Sequence, residues 1–161
     1  MRMAEFDQLP GVDAEAALLG CCASPQWARR LAAARPYGSP AALLDRADAV
    51  LAELDEAQVD LALAGHPRIG ERSAHASSAR EQAGVAGAPQ DVRAALAEGN
   101  REYEARFGHV YLVCADGRPA GELLAVLRSR LHNDPATERA VLRAELAKIN
   151  RIRLGRLVED T

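Results

Sequence analysis

SPAALLDRADAVLAELDEAQVDLALAGHPRIGER, residues 39–72, decides the fold class. Serine followed by proline is a helix start: the hydroxyl caps free backbone N–H groups, and proline suits the first turn. Leu43, Leu44, Ala47, Val50, Leu51 and Leu54 then recur at helical spacing, which predicts a strongly amphipathic helix. Asp55 to Ala64 reads as a second helix, with Val59, Leu61 and Leu63 on or near its buried side, and Gly65 is a natural stop. The stretch then leaves His66 in front of Pro67, and a residue before proline is pushed out of the α region.

The same grammar runs through the chain. Residues 1–36 divide into short helical pieces: Leu9-Pro10-Gly11 marks a turn, Asp13 is a candidate cap, and Ala14 to Leu19 is a short apolar run. Ser24-Pro25 opens a helix to about Ala34, and Arg35-Pro36 ends it. After Ala88-Pro89, residues Val92, Leu96, Gly99, Tyr103 and Phe107 line one side of a longer helix that Gly108 closes. HVYLVCADGR, residues 109–118, is the β-like run, short enough to be an extended connector. Arg118-Pro119 begins a helix carrying Leu123, Leu124, Val126, Leu127 and Leu131, and Asn133-Asp134-Pro135 caps a last one running to about Val158.

Composition agrees. The 161 residues are 48% hydrophobic but only 4% aromatic. Alanine and leucine supply most of that apolar content, so an all-α fold is expected, a multi-helix bundle in a single domain spanning 1–161. The segment 65–88 is irregular, with a short helix near 78–84. The net charge of −3, with acids and bases interleaved, gives no nucleic-acid or membrane patch. No apolar signal core is present, and the expected location is cytoplasmic. Cys21, Cys22 and Cys114 have no CxxC spacing and read as buried small hydrophobes. His66, His75, His109 and His132 lack metal-ligand spacing, so no metal site is expected. Glycine-rich phosphate loops and a nucleophile elbow do not occur.

Three places can carry chemistry. His66 sits on a rigid turn at a helix end: it is either an acid–base group near neutral pH or a histidine that bonds the last helical carbonyls. Ser78-Ala79-Arg80-Glu81-Gln82 fits the S-x-x-E capping box, and its carboxylate and amide can equally read a urea or imide edge. On the last helix Leu142, Leu146, Ile149 and Leu157 share a side, and Arg153 falls inside that stripe, away from Arg143, Lys148 and Arg151. It either snorkels or forms a structural salt bridge, or it points into a pocket that takes an anion.

The ordered set GHPRIG, SAREQAG, N-x-x-Y-x-x-x-FG (Asn100 to Gly108), RL-x-N (Arg130 to Asn133) and IRL (Ile152 to Leu154) resembles the 2-oxo-4-hydroxy-4-carboxy-5-ureidoimidazoline (OHCU) decarboxylases of urate degradation. The resemblance runs from about Leu43 to the C-terminus. It implies an all-α domain of that family's type and a cofactor-free carboxy-lyase yielding (S)-allantoin. His66 then matches the catalytic histidine and Pro67 its neighbour. Ser78, Glu81 and Gln82 match the substrate-binding motif, Glu81 also orienting His66 or accepting from substrate N–H groups. Leu112, Val113, Cys114 and Ala115 match the segment whose backbone lines the ureido pocket, and Arg153 the arginine facing the pocket. The partners implied are the small-molecule substrate, a second copy as homodimer, and urate oxidase and hydroxyisourate hydrolase as pathway neighbours. The chain departs from the family pattern at Arg68, where many members carry an acid, and at His109-Val110, in place of phenylalanine-proline. Another cofactor-free enzyme of ureide rings, a racemase or hydrolase, and a non-catalytic helical adaptor are the competing readings.

Overall fold

A computed structural model describes residues 1–71 and 76–159, with residues 76 and 77 described by backbone only. The described residues form helices and no strand; one isolated parallel bridge joins Arg2 and Glu159. They fall into two compact units, one of residues 1–65 with the chain from 147 onward, the other of residues 66–146.

The first unit holds α1 (Met3–Gln8), α2 (Gly11–Leu19), α3 (Pro25–Ala33), α4 (Pro40–Glu53) and α5 (Glu56–Ala64). The serine and aspartate starts behave as their chemistry requires. Ser24 accepts from Trp27 N–H, Ser39 from Ala42 N–H, and Asp55 from Gln58 N–H. Asp13 is not a cap: α2 begins at Gly11 behind Pro10, which places Asp13 inside the first turn. Phe6, Leu18, Trp27, Leu31, Leu43 and Val59 are fully buried, each worth about 1.5–3 kcal/mol of removed apolar surface. The Trp27 indole N–H donates to the Ala47 carbonyl, tying α3 to α4. Leu61 is 47% exposed and does not join the core; on α5 the buried positions are Val59, Ala62 and Leu63. The alternation of Val59, Leu61 and Leu63 is not a helical period, so Leu61 turns away from them.

The second unit holds α6 (Ala76–Glu81), α7 (Ala83–Ala86), α8 (Gln90–Phe107), α9 (Ala120–Arg130) and the first part of α10 (Pro135–Leu157). Leu96, Tyr103, Tyr111, Leu123 and Leu127 centre its core. Gly99 lets α9 approach α8 closely, since a Cβ there would lie 2.6 Å from Leu127 Cδ2. Gly108 ends α8 at φ 77°, in the left-handed region that favours glycine. Residues 111–115 are all buried and unpaired with any strand.

Candidate functional site

The turn after α5 is fixed from several sides. α5 stops at Ala64 and Gly65 caps it; a Cβ on Gly65 would press on the Ala23 methyl at 3.1 Å. His66 and Pro67 follow outside the helix, both half-buried. Residues 68–71 then close a tight turn, with Glu71 N–H donating to the Arg68 carbonyl at 3.1 Å and Gly70 at φ 94°. Arg68 departs from the family pattern, and two carboxylates of the chain meet its charge. Its guanidinium holds Glu104 at 2.7 Å and Glu71 at 2.9 Å, and both carboxylates keep it firmly protonated.

Two side-chain amides grip the same turn. Gln82 Oε1 accepts from Gly70 N–H at 2.9 Å, and Gln82 Nε2 donates to the Arg68 carbonyl at 3.3 Å. Asn100 Nδ2 donates to the Ile69 carbonyl at 3.0 Å. Asn100 and Glu104 stand four residues apart on α8, hence on one face.

Ser78 and Glu81 are both buried, at 4% and 7% exposure, three residues apart on α6. The capping-box reading fails here: α6 is described from Ala76, and the Ser78 carbonyl accepts from Gln82 N–H at 3.0 Å, so Ser78 lies within the helix and Glu81 closes it. These side chains sit on a buried face instead of at a helix start. Gly84 of α7 packs on the end of the connector, where a Cβ would stand 2.4 Å from the Arg118 carbonyl oxygen. Burial pushes the Cys114 thiol up, and the carboxylates of Glu145, Asp116 and Glu81 add to this while a backbone N–H at Asp116 opposes it.

The connector owes its course to a buried polar network. Arg130 Nη1 donates to the Leu112 carbonyl at 2.7 Å, and Arg130 Nε donates to Glu138 Oε1 at 2.7 Å. The Tyr103 hydroxyl donates to the same oxygen, and Asn133 Nδ2 to Oε2 at 3.1 Å. Glu138 is wholly buried. Burial alone would lower Arg130; its bond and charge interaction with Glu138 outweigh this and hold it above its ordinary value. Burial, then the Glu138 contact, raises Tyr103 well above the usual phenol range. Tyr111 hangs its hydroxyl on the Leu123 carbonyl at 3.0 Å. Glu138 was missed by sequence reasoning, although it lies four residues before Leu142 on the buried stripe. His109, the other departure, packs its ring against Tyr103 and Phe107.

Thus the described contacts connect the His66 turn to Gln82, Gly84 to the end of the connector, and the connector to Arg130. Arg153 belongs to the first unit, half-buried on α10, where Nη1 donates to the Cys21 carbonyl at 3.2 Å. Arg151, by contrast, is exposed and binds Asp45 and Asp48. All three cysteines are buried and none is in a disulfide. Among the described residues no three His, Cys, Asp or Glu side chains are grouped to hold a metal; His75 lies outside the described residues. No helix among them is long and apolar enough to cross a membrane. A groove of about 950 Å³ borders the turn, lined by Arg68, Gly70, Gln82, Arg93, Asn100 and Glu104 among others.

The family model of OHCU decarboxylase matches residues 7–155. Over 148 residues the chain is 27% identical to the uric acid degradation bifunctional protein TTL of Arabidopsis thaliana, covering 87% of this chain and 46% of that protein. Over 60 residues it is 37% identical to a 2-oxo-4-hydroxy-4-carboxy-5-ureidoimidazoline decarboxylase of Amia calva, covering 37% of this chain and 34% of that one. The chain thus spans less than half the length of each of these curated relatives in the matched region. Among solved structures, OHCU decarboxylase crystallised in the presence of (S)-allantoin superposes with a TM-score of 0.78 at 25% identity, over 86% of this chain and 94% of that one. An (S)-allantoin synthase gives 0.75 at 15% identity, over 98% of this chain and 54% of that one, a likeness of fold.

Proposed function

The chain belongs to the OHCU decarboxylase family, and from that premise we propose that it converts OHCU to (S)-allantoin, with His66 as the proton-transfer residue. The observation that carries the reading is the family match across residues 7–155, which includes every residue of the candidate site and runs through both compact units. That span also supports treating the two units as one functional domain.

The chemistry asks little of a cofactor. The bond between the ring carbon and the carboxylate breaks, CO2 leaves, and the electron pair passes to the adjacent imine or carbonyl-like group of the same ring. The enzyme's task is to hold the carboxylate out of the ring plane, bind the ureido arm, and govern delivery of a proton to one face. His66 moves that proton. Glu81 orients it or accepts from substrate N–H groups, with Pro67 and Ser78 beside them. The backbone of Leu112 to Ala115 lines the ureido pocket, and Arg153 pairs with an anionic group. Gln82 enters this site with both ends of its amide already engaged. Urate oxidase and hydroxyisourate hydrolase are the enzymes whose successive products lead to this substrate. The bifunctional plant relative, named for uric acid degradation, supports that placement.

The test is to generate OHCU from urate with those two enzymes, add this protein, and follow circular dichroism and CO2. Rapid growth of an (S)-allantoin signal, absent with His66→Ala, is the expected result. A signal at the slow spontaneous pace without chirality would reject the activity. Undiminished (S)-selective turnover by His66→Ala would reject the histidine's role.

A further inference from the structure

We propose that Gly84 is a positioning residue: having no side chain, it lets α7 seat against the end of the connector, and so sets the gap between the helix that carries Glu81 and the backbone of residues 112–115. This rests on the decarboxylase reading given above. A Cβ at Gly84 would stand 2.4 Å from the Arg118 carbonyl oxygen, 3.3 Å from its carbonyl carbon and 3.6 Å from Pro119 Cα. All three neighbours are main chain, so no side chain can turn aside to make room. At Gly99 the close neighbour is instead the end of the Leu127 side chain. Ordinary contact begins at about 3.4 Å, so α7 and the connector must part by about 1 Å to admit a single methyl group.

The connector is the anchored side of this contact. Buried Arg130 holds the Leu112 carbonyl at 2.7 Å, the Tyr111 hydroxyl donates to the Leu123 carbonyl at 3.0 Å, and Arg118 N–H closes a turn onto the Ala115 carbonyl at 3.0 Å. Gly84 sits on a helix of only four residues. Main-chain bonds tie that helix to α6: Val85 N–H donates to the Gln82 carbonyl at 2.9 Å, and Gln82 N–H to the Ser78 carbonyl at 3.0 Å. A push at Gly84 is therefore passed back to Gln82 and Glu81. It also reaches the turn after His66, whose Gly70 N–H donates to Gln82 Oε1 at 2.9 Å. A substrate that meets α6 on one side and the connector on the other then loses its fit to one of them.

The experiment compares Gly84→Ala with the wild type and with Gly87→Ala, a control at the end of α7 with open space around it and a negative φ. It reads kcat per folded molecule, the enantiomeric excess of allantoin, and amide hydrogen exchange at Gly70 and Arg118. Enough enzyme is used that spontaneous decarboxylation carries a small part of the flux, so a slow variant does not lose enantiomeric excess to the background. Expected for Gly84→Ala is a drop in kcat of about 10- to 100-fold, since a misplacement near 1 Å can cost about 100-fold. Enantiomeric excess falls with it, Gly70 exchanges faster, and Arg118 keeps its wild-type rate. Gly87→Ala matches the wild type throughout; an equal loss there would overturn the proposal. A glycine that serves stability alone leaves kcat and enantiomeric excess of the folded protein unchanged. A fall in kcat of less than about threefold, or an unchanged enantiomeric excess, therefore overturns it. Wild-type exchange at Gly70, or faster exchange at Arg118, overturns it too, because α6 and α7 would then not be the side that yields. So does failure of Gly84→Ala to fold, since a helix able to shift by about 1 Å absorbs one methyl group. If the wild type itself releases no CO2 from OHCU, the decarboxylase reading fails. The placement is then judged by exchange alone: faster exchange at Gly70 beside unchanged exchange at Arg118 upholds it, and any other pattern refutes it.

Discussion

Replacing Glu138 by glutamine tests the network behind the connector. The carboxylate is fully buried and takes donors on both oxygens: Arg130 Nε and the Tyr103 hydroxyl on Oε1, Asn133 Nδ2 on Oε2. Glutamine has the same shape but one oxygen and one NH2. Whichever way it turns, its NH2 faces a donor, and the buried Arg130 loses its counter-charge. Breaking a buried pair by removing one partner costs about 3–5 kcal/mol. We take about 3 kcal/mol, because glutamine still accepts on one side. Against a total stability of about 5–15 kcal/mol this is a large fraction. At about 2–4 °C per kcal/mol for a chain of this size, the melting midpoint should fall by about 6–12 °C. Urea unfolding followed by far-ultraviolet circular dichroism measures the loss. The companion double variant Arg130→Met with Glu138→Leu removes both charges and should be less destabilised than the sum of its single variants by about 1–3 kcal/mol. It will not return fully to wild type, because the Leu112 carbonyl loses its donor. A loss below about 1 kcal/mol for Glu138→Gln, or strict additivity in the double variant, would refute this account of the network.

Gly84→Ala should cost about 1–3 kcal/mol in urea unfolding, because its Cβ would stand 2.4 Å from a backbone oxygen that cannot swing aside. Gly87→Ala, with nothing within 4 Å and an ordinary negative φ, is the control and should be neutral or slightly stabilising. Stability should fall in alkali. Burial raises the Cys22 and Cys114 thiols above their ordinary value of 9.0, and burial raises Tyr103 and Tyr111 above 10.0. Groups raised in the folded state stabilise it fully below their unfolded values and lose this as pH rises through the folded ones. The unfolding midpoint in urea should therefore decline from about pH 9 upward, beginning with the thiols. A flat profile from pH 8 to 11 would contradict it. At pH 8 both thiols should resist alkylation in the folded protein and react on unfolding.

Local chemistry made most helices legible. Ser24, Ser39 and Asp55 each satisfy a nearby backbone donor, and Gly108 adopts the backbone that stops α8, so short windows were sufficient for α3, α4, α5 and α8. The same local logic misplaced Ser78. S-x-x-E fits a cap or two positions on one helical face equally well, and the helix phase is set by the residues before it. Leu61 failed for a related reason, since an apolar residue every second position does not say which of them a helix will bury. Division into two compact units depends on contacts between distant segments, which no window of sequence contains. Residue chemistry singled out His66 and Glu81, and the resemblance added the connector, but neither said what holds them.

That difference separates the motifs by role. GHPRIG and SAREQ hold the groups proposed to meet the substrate, His66 and Glu81. N-x-x-Y-x-x-x-FG and RL-x-N supply Asn100, Tyr103, Arg130 and Asn133, whose described polar contacts are with the protein itself. Asn100 takes a carbonyl of the His66 turn, and Arg130 takes a carbonyl of the connector. These are the two irregular segments of the site, and neither has a strand or helix ladder to fix its backbone. A buried irregular backbone must find side-chain partners or bury unpaired polar groups. Arginine and asparagine at those positions are therefore required by the shape of the site before any substrate arrives. It follows that variants of Arg130 or Asn100 should lose activity by letting the site's walls move, whereas variants of His66 lose it with the walls in place. Hydrogen exchange across residues 68–70 and 111–115 separates the two cases: it rises in the first and stays at the wild-type rate in the second.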